Sequence, residues 1–280
     1  MTAQKSPHSQ KTLHKLHQDG TFLLVNVHDV GSAALAQAAG AEALGTTSAG
    51  HAYTVGVRDA AGALSRDASV ERAAQICAAV DIPVSVDGEN GWGHEPESVA
   101  ETVRLLAEAG AAGVSIEDWS GDPAIGFYER ALAVERIEAA VETARSLRET
   151  SAGGAFVICA RADRVMHEGA DALEDTIERL QAFSAAGADC LYAPGPSDEA
   201  TIRRIVTEAG GPVNVMVEVN SGVTMDDARA WGVRRVSVGS SFYQATMAAF
   251  SAMVKEALTS GTMQVDPAPL DYAYIESLFG

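Results

Sequence analysis

The chain has 280 residues, 47% of them hydrophobic, and a formal net charge of −18. That length suits one large α/β domain or two small ones, and the apolar content excludes a disordered chain. The acidic balance argues against nucleic acid, whose backbone demands basic neutralisation, and against an anionic membrane surface.

The polar lead-in, residues 1–20, carries Lys5, Lys11 and Lys15 and lacks the apolar core of a secretory signal. No window holds eighteen uninterrupted apolar residues, so no membrane span is expected. From Phe22 onward, short apolar runs alternate with stretches of helical period. The runs are Phe22–Val27, Ala43–Thr47, Pro83–Asp87, Gly113–Glu117, Ala155–Arg161, Asp189–Tyr192, Val213–Val217 and Arg235–Val238. The helical stretches are Ser32–Ala39, Ala68–Ala79, Pro96–Ala109, Ala133–Arg148, Ala172–Ala186, Asp198–Ala209, Met225–Ala230 and Ser241–Leu258. Switching between these periods means βαβ units on a parallel sheet. Helix exits such as Ala-Ala-Gly40-Ala and Ala-Ala-Gly187-Ala-Asp read as glycine C-caps turning into the next strand. Eight such units predict a single (β/α)8 TIM-type barrel over residues 21–260; the absence of a G-x-G-x-x-G turn disfavours an open doubly wound sheet. Residues 261–280 form an extra tail with an expected helix. Its Tyr272, Tyr274, Ile275, Leu278 and Phe279 are too apolar for a free end and predict packing on a neighbour or a second subunit.

Barrel enzymes build their sites where strands end. Here those positions supply Asn26, His28 and Asp29; Thr46 to Gly50; Asp87, Glu89 and Asn90; Glu117 and Asp118; Arg161 and Asp163; Pro194; Asn214 and Glu218; Ser240 and Ser241. Four or more carboxylates facing one arginine need a counter-ion, and oxygen-only ligands favour Mg2+ or Mn2+ over zinc. The small residues Thr46-Thr-Ser-Ala-Gly50 suit either an anion nest or a plain turn. Arg161, ending an apolar strand, either clamps a substrate carboxylate or neutralises Asp163 or Glu117. His28, His51, His94 and His167 lie in loops that reach toward the same mouth, and Trp92 and Trp119 follow the acids as possible pocket walls. After Lys15 the only lysine is Lys255, far from any strand end, so a Schiff-base mechanism is close to excluded. Cys77, Cys159 and Cys190 are widely spaced in apolar surroundings, predicting reduced core thiols and a cytoplasmic protein.

As an ordered set, Asn26-Val-His-Asp-Val-Gly-Ser32, Thr46-Thr-Ser-Ala-Gly50, Asp87-Gly-Glu-Asn-Gly-Trp-Gly93, Ile116-Glu-Asp118, Ala160-Arg-Ala-Asp163 and Ala186-Gly-Ala-Asp189 resemble the isocitrate lyase / phosphoenolpyruvate mutase superfamily. The resemblance implies a homotetramer built from dimers that exchange a C-terminal helix, or at least a homodimer. It implies Asp87 as the principal Mg2+ ligand, with Glu89, Glu117 and Asp59 holding the ion through waters. It further implies that Thr47, Ser48 and Ala49 bind a substrate carboxylate through their backbone, with Arg161 completing the clamp. Asn214 joins the substrate-binding candidates; Arg161, Glu117 and Asp118 are the catalytic ones.

One departure bears on the reaction. Lyases of this superfamily carry a Lys-Lys/Arg-Cys-Gly-His loop after the Ile-Glu-Asp strand, whereas this chain reads Asp118-Trp-Ser-Gly-Asp-Pro-Ala-Ile-Gly-Phe-Tyr-Glu129. Isocitrate-type cleavage by that loop is not expected, and the lysine and asparagine loop of phosphonopyruvate chemistry is missing too. The expectation is a Mg2+-dependent enzyme acting on a small 2-oxo or 2-hydroxy acid through a stabilised enolate, breaking a C–C bond as a lyase or decarboxylase. C–P bond mutase or hydrolase chemistry and a non-catalytic oxo-acid-binding barrel are the alternatives. The candidate proton donors to the enolate are water and loop residues such as His51, Tyr53 and Tyr128.

Overall fold

In a computed structural model of the protein, residues 13–59, 62–150, 155–264 and 268–279 are described. Eight parallel strands close on themselves in sequence order. They are β1 (Phe22–Val27), β2 (Ala43–Thr46), β3 (Val84–Asp87), β4 (Gly113–Glu117), β5 (Val157–Arg161), β6 (Cys190–Tyr192), β7 (Val213–Met216) and β8 (Arg235–Ser237). Closure is made by β8 against β1, with Phe22 opposite Arg235 and Leu24 opposite Ser237. The helices are α1 (Val30–Ala38), α2 (Ser48–Thr54), α3 (Arg66–Ala79), α4 (Pro96–Glu108), α5 (Arg130–Thr150), α6 (Arg164–Glu168), α7 (Leu173–Ala185), α8 (Glu199–Glu208), α9 (Met225–Ala230), α10 (Ser241–Thr259) and α11 (Tyr272–Ser277). The main core lies between strands and helices, around Ile76, Val103, Leu106, Val114, Ile158, Leu180, Leu191 and Ile202.

The expected helix exits are present: Gly40, Gly110, Gly187 and Gly232 all hold φ between 82° and 95°, the left-handed turn that returns each helix to its next strand. Three features differ from expectation. The segment after β2 is a short helix rather than a turn, with Thr47 as N-cap accepting from Gly50 N. A further helix, α6, and a 3-10 turn at Ala170–Ala172 follow β5 before α7. The polar lead-in is also more than a lead-in. Leu13, fully buried, packs with Phe22, Leu24, Ala43, Ala112 and Val157 to plug the barrel's lower end. The adjacent His17 is buried against Leu13 O, and burial together with Arg235 drives its imidazole down to about 3.

Helix α10 buries none of its side chains; Phe250, Met253, Val254 and Leu258 are all exposed. The tail helix α11 likewise exposes Tyr272, Tyr274 and Ile275. Among the described residues no helix is long and apolar enough to cross a membrane.

Candidate active site

The strand ends open into one cavity of about 410 Å³, whose walls include Thr47, Ser48, Ala49, Asp59, Asp87, Glu89, Glu117, Arg161 and Asn214. Asp87 is the hub. Its Oδ2 accepts from Ser48 N (3.0 Å) and Ser48 Oγ (2.9 Å), while Oδ1 accepts from Arg161 (3.1 Å) and Ser115 Oγ (3.4 Å). The expected anion nest at Ser48 thus already faces a carboxylate, that of Asp87. Its own amide donates to Thr46 Oγ1 at 2.9 Å, tying β3 to β2 at the mouth.

Arg161 is committed on both sides. NH1 contacts Asp87 and Glu117 (2.8 Å) and NH2 contacts Asp163 (2.7 Å), with the guanidinium 5.1 Å above the Tyr192 ring. Of its two expected roles, neutralising the acids is the one these contacts display. One cation does not balance the set. Burial, with Asp163, Asp87 and Glu89 adding repulsion, raises the Glu117 carboxyl well above its ordinary value, and Arg161 only partly opposes this. Burial, then Asp87 and Asp59, pushes Glu89 up to about 7. Asp59 is raised by burial and by Asp87. The pocket therefore gathers more carboxylate oxygens than Arg161 can neutralise once they ionise, a set of hard donors that fits a divalent cation such as Mg2+. Among the described residues no three His, Cys, Asp or Glu side chains stand together closely enough to ligate one ion directly.

The turn after β3 is shaped for this purpose. Glu89 sits at φ 44° and Trp92 at φ 55°, left-handed conformations costly for side-chain-bearing residues and characteristic of functional sites. Gly88 is required: a Cβ there would lie 2.5 Å from Val114 Cγ2 and 2.7 Å from Ser115 O. Arg136 on α5 holds the turn from below, donating to the carbonyls of Asn90, Gly93 and His94.

Several expected residues lie elsewhere. Asp118 does not face the cavity. It is buried behind the wall, accepting from Asp163 N (2.8 Å) and Arg179 (3.2 Å), so the expectation of a catalytic role is corrected to a positioning one. The reason is strand alternation: with Glu117 pointing inward, Asp118 must point out. Glu218 is exposed beyond β7. His51 is a buried residue of α2, Tyr53 is exposed, and Tyr128 turns its hydroxyl to His94 Nδ1 (2.9 Å) and Asn90 (3.3 Å). None of these three candidate proton donors lines the cavity; His167 and Tyr192 do. His167 stacks on Trp119 with centroids 4.5 Å apart, and Phe127 meets both rings edge-on. Trp119 and Phe127, joined by an isolated bridge, belong to the segment after β4 that lacks the lyase-loop residues, and His167 comes to them from α6. Asn214 lines the cavity, but its amide is engaged with Ser237 Oγ (2.9 Å) and Arg235 (2.8 Å). Arg136, Arg179 and Arg235 were not foreseen from sequence.

The family model described as phosphoenolpyruvate phosphomutase matches residues 13–258. The chain belongs to the phosphoenolpyruvate mutase/isocitrate lyase superfamily. It is similar to a solved structure from Burkholderia cenocepacia J2315 assigned only broadly as a lyase/mutase, with TM-score 0.91, 41% identity, and coverage of 98% of this chain and 96% of that one. It is 30% identical over 201 residues to 2-methylisocitrate lyase of Escherichia coli, spanning 71% of this chain and 66% of the relative. Over 195 residues it is 31% identical to oxaloacetate decarboxylase of Paraburkholderia xenovorans, spanning 66% of this chain and 60% of that one. The superfamily is one of enzymes with lyase and mutase members, and its barrel is the fold observed here.

Proposed function

We propose that this superfamily member is a Mg2+-dependent enzyme acting on a small 2-oxo or 2-hydroxy carboxylic acid, of the C–C lyase or decarboxylase type. The observation that carries the reading is the cluster of Asp59, Asp87, Glu89 and Glu117 around a single arginine in one cavity. Asp87 would hold the ion directly, with Glu89, Glu117 and Asp59 behind waters; Mn2+ suits the same donors. When bound, a divalent cation supplies Lewis-acid stabilisation of the enolate left by bond cleavage. Thr47, Ser48 and Ala49 line the cavity at the N-cap and start of α2, and their backbone amides would orient a substrate carboxylate, that of Ser48 by turning to it from Asp87. Arg161 bridges Asp87 and Glu117 and fixes both side chains in place. Trp119 and His167, stacked on one another, would form an aromatic wall at the mouth.

The relative that decarboxylates oxaloacetate supports this substrate class. The test is incubation with oxaloacetate and Mg2+, following pyruvate against a metal-only blank. Metal-dependent pyruvate formation that Asp87→Ala abolishes supports the reading; wild-type inactivity across a panel of 2-oxo, 2-hydroxy and phosphono acids defeats it. The substituted loop after Glu117 favours the second reading, a barrel that binds oxo acids without turnover. Thermal stabilisation by such acids without products would establish it.

We also infer self-association as a homodimer or homotetramer through α10 and the tail. The exposed Phe250, Leu258, Met263 and Tyr272 support it, as does the apolar groove of about 530 Å³ between α1 and α10. Three buried cysteines, none in a disulfide, suit a reducing, cytoplasmic setting.

A further inference from the structure

The interior of a (β/α)8 barrel is ordinarily filled by layers of branched apolar side chains. Below the strand ends of this one, the inward positions of β2, β3, β4 and β8 hold Gly45, Ser85, Ser115 and Ser237, and the cavity runs down between them. At its floor lies Arg235, 2% exposed. Its Nε donates to Asn214 Oδ1 (2.8 Å), and NH2 reaches across the barrel to Cys159 Sγ (2.7 Å). NH1 is buried with no partner. Among the described residues no carboxylate pairs with Arg235, in contrast to Arg161, which has three. A buried guanidinium with a free N–H and no counter-ion is an unfinished anion site. Cys159 precedes Arg161 by two residues on β5, so the floor lies about 7 Å beneath the Arg161 level. That depth is comparable with the length of a short aliphatic diacid.

We propose that Arg235 is a second anion subsite at the pocket floor, taking the distal carboxylate of a short dicarboxylic 2-oxo acid whose oxo-acid end lies at Asp87. This rests on the 2-oxo-acid reading above and extends it by selecting diacids over monoacids. Ser237 and Asn214, hydrogen-bonded to one another, fix the guanidinium from the β7–β8 side. Burial raises the Cys159 thiol, whereas Cys190 and Arg235 lower it to a net value below the ordinary one, so the thiol acts as a partial counter-charge that an incoming carboxylate supplements.

The experiment is calorimetric binding to the full chain with Mg2+, using pairs that differ only in the distal carboxylate: 2-oxopentanoate against 2-oxoglutarate, and 2-oxobutyrate against oxaloacetate. The wild type should prefer the diacid of at least one pair by about tenfold or more, the strength of a charge-assisted hydrogen bond. Arg235→Gln should bring the diacid-to-monoacid ratio toward one. Ser85→Val, which narrows the shaft while keeping Arg235, should lower the same ratio and serves if Arg235→Gln does not fold. Monoacid binding with no diacid preference in the wild type overturns the subsite alone. So does an equal loss of both ligands in Arg235→Gln, which would mark a purely structural arginine. Failure of every oxo acid to bind the wild type overturns the underlying reading and the subsite with it.

Discussion

Replacing Glu89 with glutamine should stabilise the metal-free protein, although it removes a residue of the candidate metal site. Glu89 is held beside Asp87 and Asp59 in a half-buried turn, and its carboxyl is pushed up to about 7 from an ordinary value near 4.5. At about 1.4 kcal/mol per pH unit, that displacement corresponds to about 3 kcal/mol of native-state destabilisation once the group is ionised. Partial solvent access reduces the observable effect to about 2 kcal/mol. The sign follows from proton binding. Between the unfolded and folded values the native state holds more protons, so stability falls as pH rises from about 4.5 to about 7 and then levels off. Denaturant titrations of wild type and Glu89→Gln in chelator should therefore coincide near pH 4 and diverge by about 2 kcal/mol at pH 8, the variant being the more stable. Added Mg2+ should then stabilise the wild type more than the variant. A variant no more stable than wild type at pH 8 without metal would refute the claim that burial and the neighbouring acids penalise the Glu89 carboxylate.

Gly88→Ala should cost about 1–3 kcal/mol in denaturant titrations and displace the Glu89 turn, because its new methyl meets Val114 and a backbone carbonyl within 2.7 Å. Tyr128→Phe should change turnover of any accepted substrate by less than about threefold. Its hydroxyl faces His94 and Asn90 rather than the cavity, and a large loss in kcat would reinstate it as proton donor. Arg179→Leu should destabilise the protein by about 3 kcal/mol or more, since it strands the buried Asp118 and releases the Tyr128 carbonyl. Urea unfolding at pH 7 measures it.

The barrel was legible because its signals are local. Most strands are apolar runs, several of them ending in a polar residue, and the exits at Gly40, Gly110, Gly187 and Gly232 are glycines in the left-handed region. Asp87, Glu89, Glu117 and Arg161 could be picked out because acids and an arginine at the ends of buried strands have no packing purpose. What stayed hidden depends on partners distant in sequence. Ser-Ala-Gly-His-Ala-Tyr-Thr has no apolar period, so α2 could not be seen, nor could the bonds from Ser48 to Asp87. Arg136 and Arg179 sit among helical residues that read as solvent-facing, yet both point inward to carbonyls and acids. Arg235 sits in an apolar strand context, and only the closure of β8 on β1 turns it into the barrel floor. The period of two within β4 did carry a usable signal, since inward Glu117 requires outward Asp118.

The central claim is that Asp87 anchors a divalent cation among these carboxylates. Mn2+ binding followed by electron paramagnetic resonance, on wild type and Asp87→Asn, tests it most directly. The account predicts a saturable site in the wild type that Mg2+ displaces and that the variant loses. Equal Mn2+ binding by the two proteins would contradict it.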